Sequence, residues 1–184
     1  TALRKLRQTS PDAAIVLMGC YVQAFPEDAA ALTDADILVG TKERRRIPAL
    51  LDDFFRSRKP CRDMPAYAKA DAFEMLPISE ENTHTRAFLK IQDGCDRFCS
   101  YCIIPYARGR CRSLALSDVR AQAEALAARG FREIVLCGIN LACYGQEDGL
   151  CIADAVDACT AAGFSRVRLG SLEPDGLTDG VLTR

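Results

Sequence analysis

Residues 13–18 read AAIVLM, an unbroken apolar run of strand length. A strand with one wet face alternates apolar and polar residues. An unbroken run belongs to a strand covered on both faces, as in a parallel sheet with helices above and below it. The expected fold class is therefore α/β, and the rest of the first segment agrees. Residues 2–8 read as the end of a helix. Pro26, Glu27 and Asp28 open a short helix, with proline and acids where a first turn favours them. Residues 36–39 (DILV) form a second short strand closed by Gly40. Residues 47–55 form a helix with Ile47, Leu50, Leu51 and Phe54 on one face. Residues 1–58 thus read as part of a small doubly wound domain.

From 59 to 84 no period persists, and Pro60, Pro65 and Pro77 punctuate what reads as a linker. From 85 to 184 a second series begins. Residues 87–92 (AFLKIQ) alternate like a strand. Ser117 is placed to cap a helix over 118–129 that Gly130 ends. A strand over 133–136, a helix over 152–162 and a strand over 166–169 follow. The order β-α-β-α-β predicts parallel strands joined by crossovers.

Charge and cysteine content narrow the function classes. Lys and Arg number 24 against 25 Asp and Glu, a net charge of −1, so the chain is not basic overall, although local basic patches remain open. No apolar run approaches the roughly 18–20 residues of a membrane span, and the first residues carry no signal-peptide core. A cytoplasmic location is expected, and the absence of an initiator Met reads as a chain cut from something longer. The 10 cysteines, without a secretory signal, read as reduced thiols or metal ligands rather than disulfides.

Cys95-Asp96-Arg97-Phe98-Cys99-Ser100-Tyr101-Cys102 places three of them in eight residues, directly after a strand. Structural zinc usually takes four ligands, with cysteines in separated pairs. A [4Fe–4S] cluster has four irons, so three thiolates leave one iron open to a small molecule. A partial zinc site, or three buried structural cysteines, is the alternative. Active sites of βα barrels lie at the carboxyl ends of their strands, which is where this loop falls.

The surrounding wording is more specific. Residues 86–109 read RAFLKIQDGCDRFCSYCIIPYARG, residues 133–145 EIVLCGINLACYG, residues 168–174 RLGSLEP and residues 16–22 VLMGCYV. Together they resemble the methylthiotransferase branch of the radical S-adenosylmethionine (SAM) enzymes. The wording is most similar to the type that puts a 2-methylthio group on N6-threonylcarbamoyladenosine at tRNA position 37. The sister type acting on isopentenyladenosine usually has Gly-Gln-Asn where this chain has Gly138-Ile139-Asn140, and a Ser-His-Pro-like ending in place of Leu172-Glu173-Pro174. A third type, acting on a ribosomal protein, differs around Pro105-Tyr106.

The resemblance implies a fold, cofactors and roles. The fold would be a partial doubly wound methylthiotransferase domain (1–58), a linker (59–84) and the first part of a radical SAM (βα) partial barrel (85–184). Cys95, Cys99 and Cys102 would bind the [4Fe–4S] cluster that works with SAM, giving a 5′-deoxyadenosyl radical. Tyr101, Arg108, Gly138, Asn140, Ser171 and Glu173 would line the cofactor site. For Gly138 a tight turn is the alternative, and for Arg108 pairing with an acid. A second [4Fe–4S] cluster, the sulfur donor, takes three cysteines in the family, of which only Cys20 is matched here; the resemblance thus implies a central piece of a longer enzyme, inactive alone. Cys61 does not match, Cys137 stands where Thr is common, and Cys111, Cys143, Cys151 and Cys159 read as small hydrophobes. The implied partners are a tRNA anticodon loop, SAM and an electron donor, with no membrane. Arg97, Arg108, Arg110 and Arg112, or the basic residues within 41–59, could line the RNA path, with a solvated helix face as the alternative for Arg44-Arg45-Arg46. The competing reading is a non-catalytic metal-binding or RNA-binding module.

Overall fold

The computed structural model describes residues 2–68, 71–76 and 85–184. Along the chain lie α1 (Ala2–Thr9), β1 (Val16–Met18), α2 (Cys20–Ala24), α3 (Pro26–Ala30), β2 (Ile37–Val39), α4 (Ile47–Ser57), β3 (Cys61–Asp63), β4 (Ala87–Lys90), β5 (Gln92–Asp93), α5 (Ile104–Arg108), β6 (Arg112–Ser113), α6 (Leu116–Ala128), β7 (Glu133–Cys137), α7 (Ile152–Ala161), β8 (Arg166–Leu169) and α8 (Asp179–Leu182), with short 3₁₀ turns between some of them. They form two units, one from residues 1–69 with 97–109 and one from residues 70–96 with 110–184. None of the helices among the described residues is long and apolar enough to cross a membrane.

The first unit is built on a parallel sheet of order β1-β2-β3. The strand covered on both faces is β2, at its centre. Leu38 faces Val22, Ala29 and Ala35, while Ile37 and Val39 face Leu50 and Phe54 of α4. All three β2 side chains are buried. The run at 13–18 supplies the flanking strand β1, where Val16 and Leu17 are half-buried and Met18 is exposed. β3 falls in the stretch read as a linker. Cys61, Arg62 and Asp63 lack an apolar pattern, because an edge strand is held by backbone pairing to one neighbour rather than by side-chain burial. The remainder of the linker reading covers 69–70 and 77–84, which lie outside the described residues.

The second unit carries a parallel sheet of order β4-β7-β8. Its inward residues Ala87, Leu89, Ile134 and Leu136 pack against Val119, Ala123 and Leu126 of α6 and Ala155, Ala158 and Cys159 of α7. The alternate residues are more open: Phe88 is exposed, and Val135 and Cys137 are half-buried. The helix expected from Ser117 begins at Leu116, with Ala115 in the cap position and no side-chain cap, so Ser117 lies inside the first turn. Gly130 follows it with φ +91°, a left-handed geometry that glycine adopts without strain. Glu133, at the start of β7, accepts a hydrogen bond from Arg168 Nε on β8 at 2.5 Å. It also lies 3.5 Å from Arg166 of β8 and from Arg86, just before β4. One carboxylate therefore ties the beginnings of all three strands.

Candidate functional site

The motif loop divides between the units. Cys99 and Cys102 belong to the first and Cys95 to the second.

In the first unit, Cys99 is exposed and Cys102 half-buried. Cys102 N–H donates to the Cys99 carbonyl at 2.9 Å, which makes this end of the loop a tight turn. Phe98, just before it, has φ +48°, a left-handed conformation that costs a non-glycine residue about 1 kcal/mol or more. Its ring meets Tyr106 edge-on at 5.8 Å, and Tyr101 is 90% exposed. Cys20 opens α2 directly after Gly19, and α2 packs on α5. There Arg108 Nε donates to Cys20 Sγ at 3.2 Å, so two residues singled out far apart in sequence meet.

In the second unit, Cys95 follows Gly94 and is half-buried. The side chain that organises this region is Gln92, which sequence reasoning treated only as a strand residue. It is fully buried. Its Nε2 donates to the Gly94 carbonyl at 2.8 Å and the Asp93 carbonyl at 3.0 Å, and lies 3.0 Å from Cys111 Sγ. Its Oε1 accepts from Ile139 N–H at 2.8 Å and Asn140 N–H at 2.9 Å. The alternation gave no signal for it, because Gln92 falls in phase with the more open Phe88 and Lys90 rather than with the inward Ala87, Leu89 and Ile91. Gly138 is a glycine for a packing reason. A Cβ there would stand 2.7 Å from Leu141 Cδ2 and 2.9 Å from Gln92 Cβ. Asn140 is 2% exposed, and its Oδ1 accepts from Ala142 N–H at 3.1 Å. Its Nδ2 finds no hydrogen-bond partner among the described residues. Ser171 meets this turn through its carbonyl, which accepts from Leu141 N–H at 2.9 Å, and Glu173 is exposed.

The arginines sort differently from their sequence reading. Arg112 is only 8% exposed and lies 3.7 Å from Asp93, a carboxylate also held by Lys90 Nζ at 2.5 Å. A buried, paired guanidinium does not line an RNA path. Arg110 is exposed and 3.7 Å from Asp96. In the other basic stretch, Arg46 pairs with Glu43 and Asp63 on the surface. Burial pushes the Cys111 thiol up to about 12, with Cys143 beside it adding to the shift. It pushes Cys159 up to about 11 and raises Cys137. Cys151 caps α7, its N–H donating to Asp154 at 2.8 Å.

Two tests bear on cofactors. The donor chemistry suits iron, because the three motif residues are free thiols with solvent access. Among the described residues, however, no group of three or more His, Cys, Asp or Glu side chains is gathered to hold a metal ion. The unspent Asn140 Nδ2 suits an acceptor ligand such as a carboxylate, because a buried donor without a partner costs about 1–3 kcal/mol.

Known proteins were compared with this sequence and fold. No family model matches. The chain is 35% identical, over 98% of its length, to the threonylcarbamoyladenosine tRNA methylthiotransferase MtaB of Bacillus subtilis, and 30% identical over 93% to that of Aquifex aeolicus. It is 37% identical over 91% to the tRNA-2-methylthio-N(6)-dimethylallyladenosine synthase of Sphingopyxis alaskensis. Over the stretch it spans, the chain is similar to part of the methylthiotransferases. That stretch is about two fifths of the curated relatives' length, at 39–42% of each. The fold of this chain is similar to that of a radical S-adenosylmethionine methyltransferase, TsrM from Kitasatospora setae, with a TM-score of 0.53 at 16% identity. The match covers 95% of this chain and 44% of that one, whose structure was determined with tryptophan and a SAM analogue bound.

Proposed function

We propose that this chain carries the cofactor-binding core of a radical SAM methylthiotransferase that adds a 2-methylthio group to N6-threonylcarbamoyladenosine at position 37 of tRNA. The observation that carries the reading is local to the second unit. The cysteine motif begins just after β5, which follows β4 in the chain, and β7, the parallel neighbour of β4, ends in a turn holding a buried, unspent Asn140 donor. Residues 85–184 are then the first part of a (βα) partial barrel, with α6 and α7 outside it and the open face of β4-β7-β8 inside. Residues 1–58 are part of a doubly wound domain.

Cys95, Cys99 and Cys102 would hold a [4Fe–4S] cluster, and Cys20 would give a thiolate to a second. Bound there, the first supplies one-electron chemistry, which the adenine C2 carbon needs because it has neither a good leaving group nor an acidic proton. The chain's own residues bind and orient. Asn140 Nδ2 donates to a carboxylate oxygen of SAM, Tyr101 offers an exposed ring for the adenine, and Arg97 and Arg110 face RNA phosphates. The target base lies in an anticodon loop, where it is unstacked and within reach. An electron donor completes the partners, and the cytoplasm, where tRNA is found, is the location. The 37% identity to a dimethylallyladenosine synthase supports a second reading, in which the same chemistry acts on the isopentenyl-type base.

The test is anaerobic reconstitution with iron and sulfide, iron counting, and electron paramagnetic resonance spectra with and without SAM. About four irons per chain at the motif and a SAM-dependent spectrum are expected. Stoichiometric zinc instead of iron in a folded sample would sink the reading in favour of a binding module.

A further inference from the structure

Gln92 spans two pieces of backbone that the sequence keeps far apart. On one side its amide nitrogen holds the Asp93 and Gly94 carbonyls, the last residues before Cys95. On the other its amide oxygen takes both N–H groups of Ile139 and Asn140. Among the described residues of the second unit, no other polar side chain is fully buried and spends both ends of its amide this way. Gly138 leaves room for it, because any Cβ there would collide with the Gln92 side chain. The Ile139 and Asn140 amides meet one oxygen at the turn that ends β7, and without that oxygen the buried Asn140 amide and the half-buried Ile139 amide would both lose it as an acceptor.

We infer that Gln92 is the positioning residue of the second unit, a clasp that sets the entry of the cysteine loop and the Asn140 turn in one fixed relation. The carboxamide is matched to this task, because it donates from one end and accepts at the other. An apolar residue of the same length can do neither. A carboxylate accepts but does not donate to the loop carbonyls. The inference rests on the proposed function only for what the turn receives, a carboxylate-bearing ligand at Asn140 Nδ2; the clasp itself is a property of the chain without cofactor.

Two variants separate the two ends. In Gln92→Met both are cut. Amide hydrogen exchange at Ile139 and Asn140 should accelerate by at least about tenfold, the equivalent of one lost hydrogen bond. Alkylation of Cys95 by N-ethylmaleimide, followed by peptide mass spectrometry, should also quicken. In Gln92→Glu the acceptor remains at pH 8 and the donor is lost. The two amides should stay within about threefold of wild type while Cys95 alkylation rises. A merely structural loss would move both readouts together in both variants. Wild-type exchange and alkylation in Gln92→Met, or parallel acceleration of both readouts in Gln92→Glu, would overturn the inference. If Gln92→Met does not fold, Gln92→Glu decides alone. SAM titrated into the iron-loaded wild-type chain tests the other layer: no binding there defeats the proposed function and leaves the exchange result standing.

Discussion

Replacing Asp93 by alanine should be among the most damaging single changes in the second unit. Asp93 is 4% exposed, and its carboxylate meets Gly94, Lys90 and Arg112. Oδ1 accepts from Gly94 N–H at 2.9 Å, and Oδ2 receives Lys90 Nζ at 2.5 Å and lies 3.7 Å from Arg112. Lys90 is about a third exposed along its side chain and can turn its ammonium to water. Arg112, at 8% exposure, cannot do so without moving β6. Asp93→Ala therefore removes a counter-charge from a buried guanidinium, which costs about 3–5 kcal/mol. At roughly 2–4 °C per kcal/mol for a chain of this size, the melting temperature should fall by about 6–20 °C. The chain has no tryptophan, so the melt is followed by far-ultraviolet circular dichroism. Asp93→Leu combined with Arg112→Met removes both charges and should recover most of the loss, because a buried ion pair against apolar residues of similar volume is close to neutral. An Asp93→Ala melt within about 2 °C of wild type, or a double variant no better than the single, would show that the pair is solvated and the reasoning wrong.

Tyr144 is fully buried and its hydroxyl donates to the Leu114 carbonyl at 2.9 Å, so Tyr144→Phe should cost about 1–2 kcal/mol in the same melt; no change would mean that water reaches Leu114. Burial holds the Cys111 and Cys159 thiols at about 12 and about 11, above the ordinary value of 9.0. Their contribution to stability is complete below pH 9. It is lost as pH rises towards 11–12, because the unfolded chain releases those protons first. Melts at pH 8 and pH 11 should therefore differ, and serine at both positions should shrink the difference. Under the proposed function, Arg110→Ala should lower the salt slope of tRNA binding by about one in a filter assay, whereas the Asp93→Leu, Arg112→Met double variant should leave it unchanged; equal slopes for all three would remove Arg110 from the RNA path.

What the sequence made legible follows the reach of local patterns. The run DILV was readable because β2 is apolar over both of its faces, and the helix over 47–55 because Leu50 and Phe54 repeat at the helical period. The cysteine motif was legible from spacing alone. β3 was not, because its residues are polar and its place comes from backbone bonds to β2. β5 and β6 are two residues each, too short for any period to emerge. Helix α5 runs only from Ile104 to Arg108, and a proline in its first turn reads equally well as a loop. Arg112 looked like a phosphate contact because its partner, Asp93, lies across the motif loop, and pairing at that separation leaves no local signature. The clasp of Gln92 was hidden for the same reason: one end serves neighbours, and the other serves a turn far along the chain.

The shared carboxylate of Glu133 makes the tie between the strand starts of the second sheet depend on pH. Burial alone would raise its pKa, but Arg168, Arg166 and Arg86 together hold it below the usual range. The stabilisation it gives is complete above the unfolded glutamate value and is lost as pH falls through the lower folded one. Once Glu133 takes a proton, three guanidinium groups crowd around a neutral acid. Acid should then loosen the starts of the strands before the ends that carry the cysteine loop and the Asn140 turn, so that what pH sensitivity this carboxylate confers lies at the end opposite the proposed chemistry.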